Sequence, residues 1–271
     1  MAFAYFPHTE DDIKQMLERI GAGSLRDLYS DVPADVIYDK EYDLPDAMSE
    51  HEVRQFFEEL AEQNTNLFCL CGLGVYDHYS PAVIPHIISR SEFLTAYTPY
   101  QPEVSQGTLR YIFEYQSMIT ELTGMDCTNA SMYDGATAAA EAMMMAMAST
   151  KKKTRVLLSE GLLPHVTEVV KTYAKFKGIE LGFVPCQDGQ TSYGALLTEL
   201  AAGDVAGVLV PGINKYGVIE DFTGFADAVH AQKGLFMVYS DPSSLAVIKT
   251  PGEWGADIVV HSTTKYMDGH A

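Results

Sequence analysis

Apolar residues fall into two textures along the chain. Up to about residue 95 they recur at helical spacing within polar, loop-rich sequence: Ile13, Met16, Leu17 and Ile20 form one stripe, and Val53, Phe56, Phe57 and Leu60 another. Residues three and four apart share a helix face, so each stripe predicts an amphipathic helix. The first runs from Thr9 to Ile20, and Ser49-Glu-His-Glu52 has the form of a capping box that opens the second. Both stripes are expected to face inward. Between them Val32 to Pro45 is acidic and bounded by prolines, which suits an extended connection. Residues 1–95 thus read as a helical N-terminal arm.

From about residue 107 helices alternate with short apolar runs. Leu109, Ile112, Phe113, Ile119 and Leu122 mark a helix that Gly124 stops, and Ala136 to Ser149 is a second helix rich in alanine and methionine. Strands are expected at Val156 to Leu158, Glu180 to Val184, Gly207 to Val210, Leu235 to Val238 and Ile258 to Val260. Helices at Pro164 to Lys177, Ala195 to Leu200 and Phe222 to Lys233 separate them. This alternation predicts right-handed βαβ units, so residues 96–271 form an α/β domain with a mostly parallel sheet covered on both faces.

Composition narrows the function. The 271 residues carry 18 Lys+Arg against 37 Asp+Glu, a formal charge of −19. A polyanion needs clustered basic residues, and the single basic run is Lys151-Lys152-Lys153, so nucleic acid is not an expected partner. No apolar run approaches the roughly 18 residues of a membrane span, and the first residues lack a basic leader, which predicts a cytoplasmic protein without a membrane partner. Cys69, Cys71, Cys127 and Cys186 are too scattered for a disulfide framework, and the C-x-C lacks the second pair that zinc needs, so buried, reduced thiols are expected and no metal. His78, His86, His165 and His230 also lack metal-ligand spacing, and Met143-Met-Met145 reads as core filler.

Ligands of open α/β sheets bind beyond the carboxyl ends of the strands. Three candidates lie there. Ser131-Met-Tyr-Asp-Gly-Ala-Thr137 feeds a helix N-terminus, where the N–H groups of Gly135, Ala136 and Thr137 could hold a phosphate or merely be capped. Asp241, after the fourth strand, could take a pyridinium proton or simply turn the chain with Pro242. Lys265 follows the last strand among hydroxyls, the residue type that forms Schiff bases. Phosphate cradle, ring-nitrogen acid and imine lysine are what pyridoxal phosphate requires.

Longer motifs add a resemblance. Tyr76-Asp-His-Tyr-Ser-Pro-Ala-Val83, Ser89-Arg-Ser-Glu-Phe93, Thr98-Pro-Tyr-Gln-Pro-Glu-Val-Ser-Gln-Gly107 and Asn129-Ala-Ser-Met-Tyr-Asp-Gly-Ala-Thr137 closely resemble the glycine decarboxylase P-protein family of the glycine cleavage system, in its subunit 1 form. The similarity continues through Tyr216-Gly-Val-Ile-Glu-Asp221 and Asp241-Pro-Ser-Ser-Leu245 to Gly252-Glu-Trp-Gly-Ala-Asp-Ile-Val-Val260. It implies a fold-type I pyridoxal-phosphate protein whose subunit 1 pairs with a homologous subunit 2 that carries the cofactor lysine. Glycine is decarboxylated there and its aminomethyl group passes to the lipoyl group of the H-protein. Subunit 1, on that resemblance, is a degenerate copy completing the assembly. Tyr97, Tyr100, Gln101 and Glu103 are implied to lie near the subunit interface and substrate entrance. A fold-type I chain should also continue into a C-terminal small domain, which is expected to be missing here.

The last eleven residues depart from this pattern. His261-Ser-Thr-Thr-Lys-Tyr-Met-Asp-Gly-His270 resembles the cofactor-lysine box of the cystathionine synthase and O-acetylhomoserine sulfhydrylase family. Either this subunit kept or regained a lysine, or two coding sequences are joined at a shared Ala-Asp-Ile-Val-Val stretch. The uninterrupted likeness of the preceding residues to one family favours the junction. The alternative readings are an enzyme of sulfur amino-acid metabolism with Lys265 as imine lysine, and a non-catalytic assembly subunit.

Overall fold

The structure, a computed structural model, describes residues 5, 7–38, 40–73 and 79–263. The chain divides into two compact units, Met1–Asn66 and Leu67–Ala271.

In the first unit, helix α1 (Glu10–Ile20) starts at a Thr9 cap. The Asp12 backbone N–H donates to Thr9 Oγ1 (3.2 Å) and the Thr9 N–H donates back to Asp12 Oδ2 (2.8 Å). Gly21, at φ +77°, ends the helix in a left-handed turn. Helix α2 (Glu50–Glu62) begins with the same reciprocal bonds between Ser49 and Glu52. The expected connection between them is broken by a single 3₁₀ turn at Ala34–Val36. The inward-facing expectation is overturned. Neither helix buries a residue, and Met16, Ile20, Val53, Phe56, Phe57 and Leu60 are all exposed. Periodicity fixes which residues share a face, not what covers it. One apolar groove of about 530 Å³ lies between α1 and the turn Leu25–Tyr29, lined by Ile13, Met16, Leu17, Leu25 and Leu28 among others.

In the second unit, short helices α3 (Val83–Ile88) and α4 (Ser91–Leu94) precede α5 (Gln106–Thr123), which Gly124 ends at φ +71°. Then follow α6 (Gly135–Ser149), β1 (Arg155–Ser159), α7 (Pro164–Lys177) and β2 (Glu180–Val184). A small antiparallel hairpin, β3 (Cys186–Gln187) with β4 (Gln190–Thr191), leads to α8 (Tyr193–Leu200) and β5 (Val205–Pro211). Helix α9 (Phe225–Ala231), β6 (Leu235–Ser240) and β7 (Ile258–His261) complete the described elements. Helix α9 is shorter than Phe222 to Lys233. Asp221 turns the chain by accepting from the Thr223 N–H (3.0 Å), and Gly224 at φ +86° delays the first helical residue to Phe225.

The sheet order is β2-β1-β5-β6-β7, parallel throughout. Every residue of β5 is buried, as a central parallel strand between two helical layers requires. On one face Val156, Leu158, Leu209 and Met237 pack against α6 and α7. On the other, Leu157, Val208, Val210, Phe236 and Val238 pack against α8 and α9, with Phe222 and Trp254. This is the expected α/β class. The Met triplet divides: Met143 is fully buried in the first core, Met144 is packed against it, and Met145 is exposed. The buried-thiol expectation fails. All four cysteines are free, Cys69, Cys71 and Cys127 are exposed, and Cys186 is half-buried. Among the described residues no helix is long and apolar enough to cross a membrane.

Candidate functional site

The candidates converge at the carboxyl edge of the sheet, where β6 faces the start of α6. Asp134 has extended backbone and caps the helix, its Oδ1 accepting from the Thr137 N–H (2.7 Å). Gly135 and Ala136, the first helical residues, are buried. Tyr239 comes up from β6 beside them. A methyl group on Gly135 would stand 2.8 Å from the Tyr239 hydroxyl oxygen, so glycine is required by this approach rather than by its φ. Burial pushes the Tyr239 phenol up from its ordinary value, and the charges of Asp134 and Asp241 push the same way.

Asp241 follows Tyr239 by two residues in extended backbone, so both side chains leave the same face. One carboxylate oxygen, Oδ1, accepts from the Ser243 N–H (2.9 Å) and hydroxyl (2.5 Å), and the Asp241 carbonyl accepts from Ser244 Oγ (2.6 Å). The Asp-Pro sequence therefore does make a turn, the 3₁₀ segment Pro242–Ala246, which packs against α5. The adjacent strand ends carry two unsatisfied atoms. Ser240 and His261 are register partners, and Ser240 Oγ and His261 Nδ1 are buried without a hydrogen-bond partner among the described residues. Burial holds the His261 imidazole below its ordinary pKa.

A second polar cluster sits at the ends of β1 and β5. Glu220, 3 % exposed, accepts from the Thr191 N–H (2.6 Å) through Oε2 and from Asn214 Nδ2 (2.8 Å) through Oε1. The Asn214 side-chain oxygen, Oδ1, accepts from the N–H groups of Tyr216 (2.9 Å) and Val218 (3.1 Å). The Thr191 hydroxyl meets Ser159 Oγ (2.7 Å), which accepts from the Gly161 N–H (2.9 Å). The network ties the hairpin β3–β4 and the loop after β5 to the end of β1. Neither it nor Tyr239 was expected from sequence. The alternation Tyr239-Ser-Asp241 was the available signal for the tyrosine; Glu220 reads locally as one more acidic loop residue.

Of the remaining candidates, Tyr97, Tyr100, Gln101 and Glu103 lie in the loop before α5, with local hydrogen bonds around them. Tyr97 and Tyr100 are exposed at 82 % and 79 % in the loop before α5. Around them Tyr100 N–H donates to Thr98 O, Ser105 N–H to Gln101 O, and Gln106 Nε2 to Glu103 O, all local bonds. Lys265 lies outside the described residues, as do Thr264 to His270 of its box and Tyr76, Asp77 and His78. The last described residue, Thr263, meets the Tyr115 hydroxyl of α5 at 3.3 Å.

Pyridoxal phosphate asks three things of such a crevice. Asp241 meets the first, a carboxylate at a strand end with one oxygen held by Ser243. The phosphate cradle is not met: the space over Gly135 holds the Tyr239 hydroxyl, the Thr137 N–H is taken by Asp134, and the charges acting on Tyr239 are both carboxylates. A dianion there would face repulsion, with one of the three helix N–H groups, that of Thr137, already used. The third, the imine lysine, falls on Lys265 outside the described residues, so of the three the described residues meet the carboxylate alone.

Comparison with known proteins gives a consistent set of likenesses. The profile of the family "Glycine cleavage system P-protein" matches residues 3–267. A "Probable glycine dehydrogenase (decarboxylating) subunit 1" of Anoxybacillus flavithermus is 49 % identical over 263 residues, covering 96 % of this chain and 58 % of its own length. A protein of the same description from Moorella thermoacetica is 48 % identical over 256 residues, 94 % of this chain and 57 % of its own. Among solved structures, an inhibitor-bound glycine decarboxylase (P-protein) of the glycine cleavage system superposes with a TM-score of 0.85 at 41 % identity, over 97 % of this chain and 59 % of that one. A sphingosine-1-phosphate lyase of Burkholderia pseudomallei shares the fold alone, with a TM-score of 0.54 at 12 % identity. The chain thus spans somewhat under three fifths of the length of the relatives it matches.

Proposed function

Because the chain belongs to the glycine cleavage system P-protein family, we propose that it works as subunit 1 of a decarboxylating glycine dehydrogenase. In this reading a homologous subunit 2 carries the pyridoxal-phosphate lysine. The complex releases the glycine carboxylate as CO2 and passes the aminomethyl group to the lipoyl disulfide of the H-protein. One sulfur of that disulfide takes the carbon and the other becomes a thiol.

One observation carries the assignment of the cofactor to the partner. The crevice that would hold the phosphate in this chain contains the Tyr239 hydroxyl and is flanked by Asp134 and Asp241. Gly135, Ala136, Thr137 and Asp241 keep the frame of a cofactor crevice without the charge to hold a phosphate. Tyr97, Tyr100, Gln101 and Glu103, in an exposed loop with aromatic and polar side chains, suit an interface beside the partner's active site. We place the assembly in the cytoplasm, where free thiols stay reduced. The alternative enzyme of sulfur amino-acid metabolism rests on the segment His261 to His270, with Lys265 as imine lysine, Asp241 as ring-nitrogen partner and Gly135 in the phosphate cradle, and Lys265 lies outside the described residues.

Co-expression with a tagged P-protein subunit 2 tests the association. This chain should be retained with the tag as one complex on size exclusion. A chain that is folded by circular dichroism yet elutes apart from subunit 2 overturns the proposal.

A further inference from the structure

Helix α2 takes no part in the crevice or in the Glu220 network, yet it carries a complete recognition pattern. Val53, Phe56, Phe57 and Leu60 stand at i, i+3, i+4 and i+7, between 39 % and 59 % exposed, and the two phenyl rings meet edge to face at 5.3 Å. An amphipathic helix anchors in the apolar groove of another protein through this spacing. We propose that α2 is a docking helix, taken up by an apolar groove rimmed with Lys and Arg on the partner subunit. This docking presupposes that the chain works as one subunit of a P-protein assembly.

The helix is formed before any partner arrives. Ser49 and Glu52 close its first turn reciprocally, Arg54 Nε pairs with Glu50 Oε1 at 3.0 Å, and Gln55 Nε2 donates to Glu59 Oε1 at 2.8 Å. Docking therefore orders little chain, which leaves more of the contact energy as affinity. Within 5–66 no described residue is buried, so the stripe is open along its length. Helical periodicity sets Glu50 on one flank of it and Glu52 and Glu59 on the other, which gives an apolar ridge between carboxylates.

Charge decides among the occupants. Residues 1–66 hold 16 Asp+Glu against 5 Lys+Arg, a formal −11, more than half of the −19 of the whole chain. Such a ridge is complementary to an apolar groove with a basic rim. A second copy of this chain would set −19 against −19, and the headgroups of an anionic membrane would repel the same flanks. A different protein, basic where it receives the helix, is the occupant the charges favour.

The test is binding of the full chain to immobilised P-protein subunit 2, with hydrogen exchange of the α2 amides read alongside. Phe56→Ala combined with Phe57→Ala removes the centre of the ridge and keeps the helix, alanine being the best helix former. The double variant should bind at least about thirtyfold more weakly with unchanged circular dichroism. Glu59→Lys should weaken binding about three- to fivefold at about 0.05 M salt, and the difference should vanish at about 0.5 M. The α2 amides should gain protection only when subunit 2 is added. If the wild type and the double variant bind equally, the docking is overturned and the subunit reading stands; if a folded wild type does not bind at all, both fall. A Glu59→Lys chain that binds as tightly at low salt overturns the basic rim. Equal protection of α2 in the isolated chain, a homodimer that the double variant abolishes, or retention on phosphatidylserine vesicles that it abolishes assigns the stripe to another surface, and each overturns the proposal.

Discussion

Glu220 is buried, yet no cation answers its carboxylate among the described contacts; two N–H donors do, one from Thr191 in the hairpin and one from Asn214 in its own loop. Such charge-assisted bonds are each worth about 1.5–3 kcal/mol, and cutting one partner strands the other. Glu220→Ala should therefore lower stability by roughly 3 kcal/mol in urea unfolding, with the m-value unchanged. Gly135 makes a sterically defined contact. Gly135→Ala should lose about 1–2 kcal/mol by pressing on the Tyr239 hydroxyl, and the loss should shrink to a few tenths in a Tyr239→Phe background. Equal losses in both backgrounds would mean that the hydroxyl is not what occupies the space. Tyr239 also predicts a pH effect. Its phenol is raised above the ordinary tyrosine value of about 10, so above that pH the folded chain holds this proton longer than the unfolded chain does. Stability is then lost as pH rises from the unfolded value through the folded one. Between about pH 9 and pH 11 the fall in melting temperature should be shallower for Tyr239→Phe.

At the scale of elements, the strands and most helices of residues 96–263 were legible because two periods, 2 and 3.6, alternate cleanly there. β5 reads as a continuous apolar run because helices cover both of its faces. Capping boxes announced α1 and α2 with equal clarity. What covers those helices was not legible, since a stripe such as Val53, Phe56, Phe57 and Leu60 has the same pattern whether buried or exposed. The two-residue strands β3 and β4 escaped because so short a pairing has no period. In the crevice, the strand-end rule pointed to Gly135 and Asp241, but only the folded chain brings the Tyr239 hydroxyl onto the first. Close packing sets the element-scale prediction. A Cβ on Gly207 of β5 would lie 2.8 Å from Met237 Cε and 3.0 Å from Ala146 Cβ, so α6 rests directly on this glycine. Gly207→Val should cost about 2–3 kcal/mol by forcing helix and strand apart, read as a lower urea midpoint.

The whole molecule shows large apolar side chains outside its cores. Phe68, Leu70, Tyr79, Tyr97, Tyr100 and Phe113 are all exposed, more than scattered surface residues require. The charge of −19 keeps such a surface soluble and says nothing about the reaction. The proposed placing of the chemistry in an assembly rests on the carboxylates of Asp134 and Asp241 beside the Tyr239 hydroxyl, where a phosphate would need cations. The most direct measurement is the exchange of labelled bicarbonate into the glycine carboxylate, with subunit 2 and lipoylated H-protein held constant and this chain added or omitted. The account predicts exchange that rises at least about tenfold on addition and saturates at a fixed ratio of chain to subunit 2. Exchange that is the same without the chain, with circular dichroism showing the chain folded, would contradict it.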